Sequence, residues 1–438
     1  MLWRTLLEAQ VAIGNYYRPR AELLEIQRRK LRSTVRYAFD NVPLYHRWFR
    51  DRGMVPDDVN GLSDLARLPI LTRDEIRKSF PGDITVRGAP VGMTLTTSGT
   101  TSSGPLRVQR GVRYSDVLLA LQIRKMWVGG VRPWWKTPLF QVQGPDIPFN
   151  RYTPAVVMWR LMFRSFALHV VTLRPKRIDL RAGRVRTAAL EFYAYRPQVV
   201  QMPPTFLRRV GYMLRDEGKS LDMKLVFAGN EPLTRACRRE LMDLYRCDVL
   251  DIYGATELGI LGYECRAHRG IHLNSDYFAF ELTRGDGPAS EGESSDVVVT
   301  TLENEAMPIL RYRLEDMVVV GGDEKCDCGS SLPRLARVEG RRKSRLVAAD
   351  GALIPTSYVT ESLEGRYGIR DYQVVQRKGD AILLRLRKED DTKENLAALS
   401  GFFSQLLGAR QSVETEEWDL EEMPVKYLAV STDLASGD

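Results

Sequence analysis

Cysteine is scarce in this chain, with five in 438 residues, and histidine scarcer still, with four. So few thiols cannot staple a chain of this length, which argues against a secreted disulfide scaffold; reduced thiols in the cytoplasm are expected. No apolar stretch reaches the roughly 20 residues of a membrane span. Arg4 and Glu8 interrupt the opening segment where a signal peptide needs an unbroken apolar core. No internal repeat or low-complexity tract is present. Neither a helix-turn-helix, a zinc-finger spacing nor an aromatic-basic ribonucleoprotein motif appears, so neither a nucleic-acid partner nor a membrane is expected.

What is present describes an ordinary globular protein, 44% hydrophobic and 27% charged. Its length exceeds what one hydrophobic core sustains, so more than one domain is expected. Lys and Arg number 64 against 56 Asp and Glu, a formal net charge of +8. Such a surplus permits ATP, coenzyme A, nucleic acid or anionic lipid without choosing among them.

The first hundred residues read as helical, with apolar positions at helical spacing through Leu23, Ile26, Leu31, Val35 and Phe39 until Pro43 stops the run. From about 94 to 280, short β-rich runs alternate with helices, such as the strand 224–227, the helix 234–245 and the strand 249–253. That alternation predicts an α/β fold with parallel sheets. The runs 297–301 and 317–321 predict a more antiparallel, barrel-like section. The basic segment 341–345 is a hinge candidate, followed by a strand at 381–387 and an amphipathic helix through Leu396, Leu399, Phe403 and Leu406. The expected organisation is therefore a large N-terminal domain over 1–340 and a small α+β domain over 341–438.

Thr96-Thr97-Ser98-Gly99-Thr100-Thr101-Ser102-Ser103-Gly104-Pro105 gathers hydroxyls and glycines. Glycines let backbone N–H groups approach a phosphate and hydroxyls add donors without bulk, although a flexible linker has the same composition. No Gly-Lys-Ser/Thr follows, so this is not a Walker loop. Downstream, in order, lie Ala228-Gly229-Asn230-Glu231-Pro232-Leu233, Tyr253-Gly254-Ala255-Thr256-Glu257, Arg311-Tyr312-Arg313-Leu314-Glu315-Asp316 and Gly340-Arg341. The set resembles the motifs of the adenylate-forming superfamily. The opening, with Asn41-Val42-Pro43-Leu44-Tyr45-His46 and Leu68-Pro69-Ile70-Leu71-Thr72, resembles the phenylacetate–coenzyme A ligases and the related capsular-polysaccharide and coenzyme F390 synthetase-like proteins.

That resemblance implies a fold and a chemistry. The loop Thr97, Ser98, Gly99, Thr100 and Thr101 and the string Gly229, Asn230, Glu231 and Pro232 would bind ATP. Tyr253, within Tyr253-Gly254-Ala255, would lie near the adenine, Thr256 near the α-phosphate, and Glu257 would help bind Mg2+. Asp316 would accept hydrogen bonds from the ribose hydroxyls, and Arg341 would reach the nucleotide. The small domain would be mobile about a hinge at Lys343 and would bring a lysine to the reacting groups, with Lys426 in Pro424-Val425-Lys426 as the candidate and another lysine as the alternative.

Cys265 and His268 form a Cys-x-x-His, and Cys326 and Cys328 a Cys-x-Cys-Gly about sixty residues on. Three thiolates and one imidazole make a closed tetrahedral shell suited to structural Zn2+. His272 competes with His268 for the fourth place; His268 is preferred by spacing and by resemblance to relatives with a similar pair. Cys237 and Cys247 read as core.

The leading expectation is an enzyme that joins an aromatic or otherwise apolar carboxylate to coenzyme A through an acyl-adenylate. A second keeps the adenylate and changes the acceptor to a carrier-protein thiol, an amine or a sugar hydroxyl. A third, without catalysis, is a zinc-stapled basic binding protein. The acid itself is not legible, and a homodimer is permitted but not indicated.

Overall fold

The computed structural model describes residues 2–97, 105–132, 139–142, 168–171, 189–190, 192–194, 196–285, 287–342, 344–378, 381–387, 390, 392–408, 412–417 and 429–433. The chain opens with helices α1 (Leu2–Tyr16), α2 (Arg20–Asn41), α3 (Pro43–Arg50), α4 (Leu62–Leu65) and α5 (Arg73–Ser79). Pro43 ends α2 and begins α3, because a residue without an N–H is tolerated in a first helical turn and not in the middle of a helix. Thr72 caps α5 by accepting from Glu75 N, while Glu75 Oε2 accepts from Thr72 N, a reciprocal box that fixes where the helix starts.

The hairpin β1 (Val91–Thr96) and β2 (Arg107–Gly111) leads into α6 (Val112–Val128), and β3 (Leu139–Val142) pairs parallel with β4 (Leu168–Val171). The strands β5 (Val199–Met202) and β6 (Leu225–Gly229) also pair parallel, with α7 (Pro204–Asp216) as the crossover and α8 (Arg235–Tyr245) following. These pairings match the expected βαβ alternation. The sheet then turns antiparallel through β7 (Asp248–Ala255), β8 (Gly259–Glu264) and β9 (Ile271–Leu273), with β10 (Phe278–Arg284) and the two-residue β11 (Gly287–Pro288) beyond. Next come β12 (Ser294–Thr301), paired antiparallel with β10, then β13 (Tyr312–Val320) and β14 (Arg334–Arg341), the last pairing with β9.

A short hairpin, β15 (Leu346–Val347) and β16 (Leu353–Ile354), precedes α9 (Thr356–Arg366). A four-stranded sheet follows, built from β17 (Tyr372–Arg377), β18 (Ala381–Leu386), β19 (Ser412–Glu417) and β20 (Val430–Thr432), with α10 (Lys393–Leu407). Leu399, Phe402, Phe403 and Leu407 of α10 pack on Val374, Ile382 and Leu384 of that sheet. The amphipathic spacing read from the sequence thus locates a real α+β core. Among the described residues no helix is long and apolar enough to cross a membrane.

Two compact units emerge. One comprises 1–175, 250–314 and 318–337, the other 176–249, 315–317 and 338–438. This grouping differs from a division at 340 in that 176–249 goes with the C-terminal segment. Within the second unit buried charge ties 176–249 to the C-terminal segment: Arg208 of α7 pairs with Glu364 of α9 at 3.1 Å, and Arg209 with Asp371 at 2.9 Å.

Candidate functional site

In the first unit β7 ends at Ala255, and Thr256, Glu257 and Leu258 turn the chain into β8. Gly254 allows that turn, since a Cβ there would lie 2.6 Å from the Gly259 carbonyl oxygen. The carbonyls on either side of Glu257 are held, Thr256 O accepting from Arg110 Nη2 and Leu258 O from Tyr114 Oη, each at 2.6 Å. The Thr256 side chain is exposed, whereas Glu257 is turned inward and buried. Its Oε1 accepts from Arg73 Nη1 at 2.7 Å and from Tyr312 Oη at 3.1 Å.

Arg73 also donates through Nη2 to Thr97 Oγ1 at 3.1 Å. One guanidinium therefore bridges the first hydroxyl of the Ser/Thr/Gly loop and the acid of the Tyr253–Glu257 string, 160 positions apart. Thr97 and Leu106 pair by Thr97 N to Leu106 O at 2.8 Å and Leu106 N to Thr97 Oγ1 at 2.9 Å, closing the neck of that loop. Ser98, Gly99, Thr100 and Thr101 lie outside the described residues. Among the described residues the hydrogen bonds of this buried carboxylate go to Oε1, and a carboxylate oxygen is the hard ligand that divalent cations prefer.

Arg73, Arg110 and Tyr114 lie outside every motif of the sequence, and Tyr312 sits in the 311–316 string without a role of its own. A signal for Arg73 was present: the Thr72-x-x-Glu75 capping box marks a helix start and puts Arg73 in its first turn. Leu71 is bound on both sides of Tyr312, Leu71 N to Arg311 O at 2.8 Å and Arg313 N to Leu71 O at 3.0 Å, which sets that helix start beside the tyrosine. Tyr253 is buried within β7.

In the second unit Gly229 ends β6, and Asn230 takes a left-handed φ of 70°. Glu231 accepts a hydrogen bond from Thr205 Oγ1. Pro232 follows in the turn before Thr234, which caps α8 by accepting from Cys237 N at 3.0 Å. Asp316 lies on β13 and Arg341 at the end of β14, and Arg342 N donates to Glu315 O at 2.8 Å between the two strands. Lys343 and Lys426 lie outside the described residues.

The cysteine–histidine cluster closes with a histidine other than the one its spacing favours. Cys265, Cys326 and Cys328 come together with His272, their ligand atoms all within 4.8 Å of one another, and His268 is elsewhere. The chain turns after β8 with His268 N bonded to Cys265 O and a left-handed φ of 50° at His268, which carries that imidazole to 3.8 Å from Glu264. His272 returns on β9 opposite Tyr263, and Gly270, where a Cβ would lie 2.3 Å from Leu335 O, permits the close approach of β14. Cys-x-x-His spacing favours His268, whereas the hairpin register brings His272 to the three thiols.

A tetrahedral ion with metal–sulfur bonds of about 2.3 Å places its sulfurs about 3.8 Å apart. Cys265 and Cys326 sulfurs stand 3.8 Å apart, and Cys328 Sγ lies 3.5 Å from His272 Nε2. The donor set and its spacing thus fit a closed Cys3His shell. Around it, Tyr16 Oη lies 3.4 Å from Cys328 Sγ and its ring meets the His272 ring edge-on. The hydrogen bond from Cys265 holds the Cys328 thiol well below the ordinary thiol range, while Cys265, giving that bond from a buried position, is pushed up. The buried Cys237 and the half-buried Cys247 are likewise pushed up, chiefly by desolvation, Cys247 to about 12, as core thiols are.

No protein-family model matches the chain. Among curated proteins it is 26% identical over 371 residues to the phenylacetate–coenzyme A ligase of Thermus thermophilus, covering 82% of this chain and 79% of that one. It is 25% identical over 381 residues to the enzyme of the same name from Escherichia coli, covering 84% and 82%. Among solved structures it resembles a 2-hydroxyisobutyryl-CoA ligase in its postadenylation state with TM-score 0.73 and 18% identity, covering 92% of this chain and 88% of the other. It also resembles an acyl acid amido synthetase with TM-score 0.61 and 11% identity, covering 90% and 83%.

Proposed function

We propose that this chain, of the phenylacetate–coenzyme A ligase-like branch of the adenylate-forming superfamily, activates an apolar or aromatic carboxylate with ATP and passes the acyl group to coenzyme A. In the first half-reaction a carboxylate oxygen bonds to the α-phosphorus and pyrophosphate leaves. In the second the thiol sulfur bonds to the acyl carbon, AMP leaves with the oxygen, and the thiol proton goes to solvent. Both steps need positioning and charge stabilisation more than covalent help from the protein.

The observation that carries this reading is the Arg73 bridge between Thr97 and Glu257. It joins a hydroxyl at the neck of a glycine-bearing loop to a buried carboxylate, the pairing that a triphosphate and its metal require. Glu257 would hold a magnesium ion through Oε2, and the ion would supply positive charge beside the phosphates. Arg73 neutralises the other carboxylate oxygen and fixes its direction. The exposed Thr256 hydroxyl serves the α-phosphate, Tyr253 the adenine side, Asp316 the ribose hydroxyls and Arg341 the nucleotide. Lys426 is assigned to the carboxylate oxygen and α-phosphate during adenylation.

Cys265, His272, Cys326 and Cys328 are assigned a structural Zn2+. With four protein ligands and no open position such a site does no chemistry on the substrate. The cytoplasm, where ATP, coenzyme A and reduced thiols coexist, is the setting this reading requires.

The test is ATP–pyrophosphate exchange with a panel of aryl and alkyl acids. Exchange should depend on the acid, and Glu257→Gln should lower it by about 100- to 1000-fold with the fold intact. Absence of exchange with every acid would overturn the proposal. If exchange persists while coenzyme A yields no thioester, the acceptor is a carrier thiol, an amine or a hydroxyl.

A further inference from the structure

We propose that helix α1 docks this protein on an anionic phospholipid surface. Of the eleven exposed large hydrophobic residues among the described ones, five lie in the first 24 positions: Trp3 is 78% exposed, Leu7 59%, Val11 52%, Tyr17 45% and Leu24 49%. Trp3, Leu7 and Val11 recur at four-residue steps, so they form a narrow stripe along one side of α1 over about 12 Å. A contiguous exposed apolar stripe on a folded helix calls for something to cover it.

Slack packing does not account for this stripe. The other side of α1 is fully engaged: Thr5 donates to Asp116 at 2.7 Å, Ala12 O accepts from Arg124 at 2.9 Å, Asn15 donates to Asp276 at 3.2 Å, and Tyr16 is wholly buried. Glu8, the acid of α1, is drawn inward by the Tyr277 hydroxyl at 2.6 Å. The outward side therefore combines apolar residues and a cation with no carboxylate.

Charge selects the occupant. Residues 2–36 carry eight Arg and Lys against three Glu. Arg18, Arg20, Arg28, Lys30 and Arg36 are paired to Glu22, Asp323, Glu25, Glu303 and Asp57, while Arg4, Arg29 and Arg32 make no ion pair among the described residues. A second copy would set these arginines against their own kind. A nucleic acid would satisfy the arginines and leave the aliphatic stripe in water. An anionic bilayer satisfies both, with Trp3 at the headgroup level, Leu7 and Val11 toward the acyl boundary, and the unpaired arginines drawn to the anionic headgroups. Such contact is peripheral and reversible, and it needs no spanning helix.

The experiment is co-flotation of the full chain with vesicles of phosphatidylcholine alone or with one-third phosphatidylglycerol, at low and high salt. Binding should appear only with phosphatidylglycerol and fall steeply as salt rises. Leu7→Ser with Val11→Ser should weaken it at least about tenfold, from the apolar area lost. Arg4→Glu with Arg29→Glu and Arg32→Glu should abolish the lipid preference, and circular dichroism and acid-dependent exchange should stay unchanged in both variants. No flotation with anionic vesicles, equal binding by the serine variant, or conversion of a dimer to a monomer by that variant in light scattering would each overturn the proposal. Pyrophosphate exchange is measured separately, so failure here leaves the enzymatic reading standing.

Discussion

His268 and His272 are four positions apart in a hairpin whose register, not their spacing from Cys265, decides which one meets the thiols. His272→Ala should remove about one equivalent of zinc per chain in a metal-release assay, and His268→Ala should retain it; equal zinc in both variants would refute the assignment. The three cysteines were legible because Cys-x-Cys-Gly is a rare string, whereas the histidine depended on a left-handed turn at His268 that local sequence does not announce. Lys125 of α6 was likewise invisible. It is fully buried, and desolvation depresses its ammonium to about 7. Its folded pKa lies below its unfolded value, so between about 7 and about 10.4 the unfolded chain binds more protons and this contribution to stability rises with pH. Below that window the full penalty for a buried charge applies. Lys125→Met should therefore stabilise the protein at pH 7 by on the order of 2–4 kcal/mol, and the gain should shrink toward pH 10 in denaturant titrations.

At the scale of elements, α1 and α6 are fastened by one buried guanidinium. Arg124 donates to Asp276 at 2.7 Å, to Asn274 at 2.7 Å, to the Tyr263 hydroxyl at 2.8 Å and to Ala12 O at 2.9 Å. Asp276→Asn keeps the shape and removes the counter-charge, which for a buried pair costs about 3–5 kcal/mol. The expected result is a lower denaturation midpoint with earlier protease cleavage near α1; an unchanged midpoint would show that the hydrogen bonds alone suffice. The helices and strands were legible where periodicity is strong, as in α2, α8, β6 and α10. Long-range polar partners were not, because Arg124 in its own helix looks like any arginine and only the fold brings Asn274 and Asp276 to it. The same holds for Arg73, whose position at the head of α5 is written in its capping box while its reach to Thr97 and Glu257 is not.

At the scale of the molecule, both units are assembled from separated stretches of chain. In the second, Glu364 accepts from Arg208 at 3.1 Å, from Thr234 at 2.6 Å and from Tyr372 at 3.2 Å, tying 176–249 to the C-terminal segment through charge. Glu364→Gln should lower the unfolding free energy by about 3 kcal/mol in denaturant titrations, and Arg208→Met combined with Glu364→Leu should recover most of it, since an apolar pair can replace a buried ion pair. Failure of the double variant to recover would mean that Thr234 and Tyr372 depend on the acid as well. Composition and motif order indicated a multidomain α/β chain, but interleaved segments cannot be read from the order of elements alone. The thiol and imidazole quartet has a further consequence. Cys265 and His272 leave the ribosome roughly fifty residues before Cys326 and Cys328, so during synthesis two soft ligands wait unaccompanied. The first unit draws on residues as far as 337, so it cannot close until these have emerged, and a growing chain would be most exposed to stray metals and oxidants in that interval.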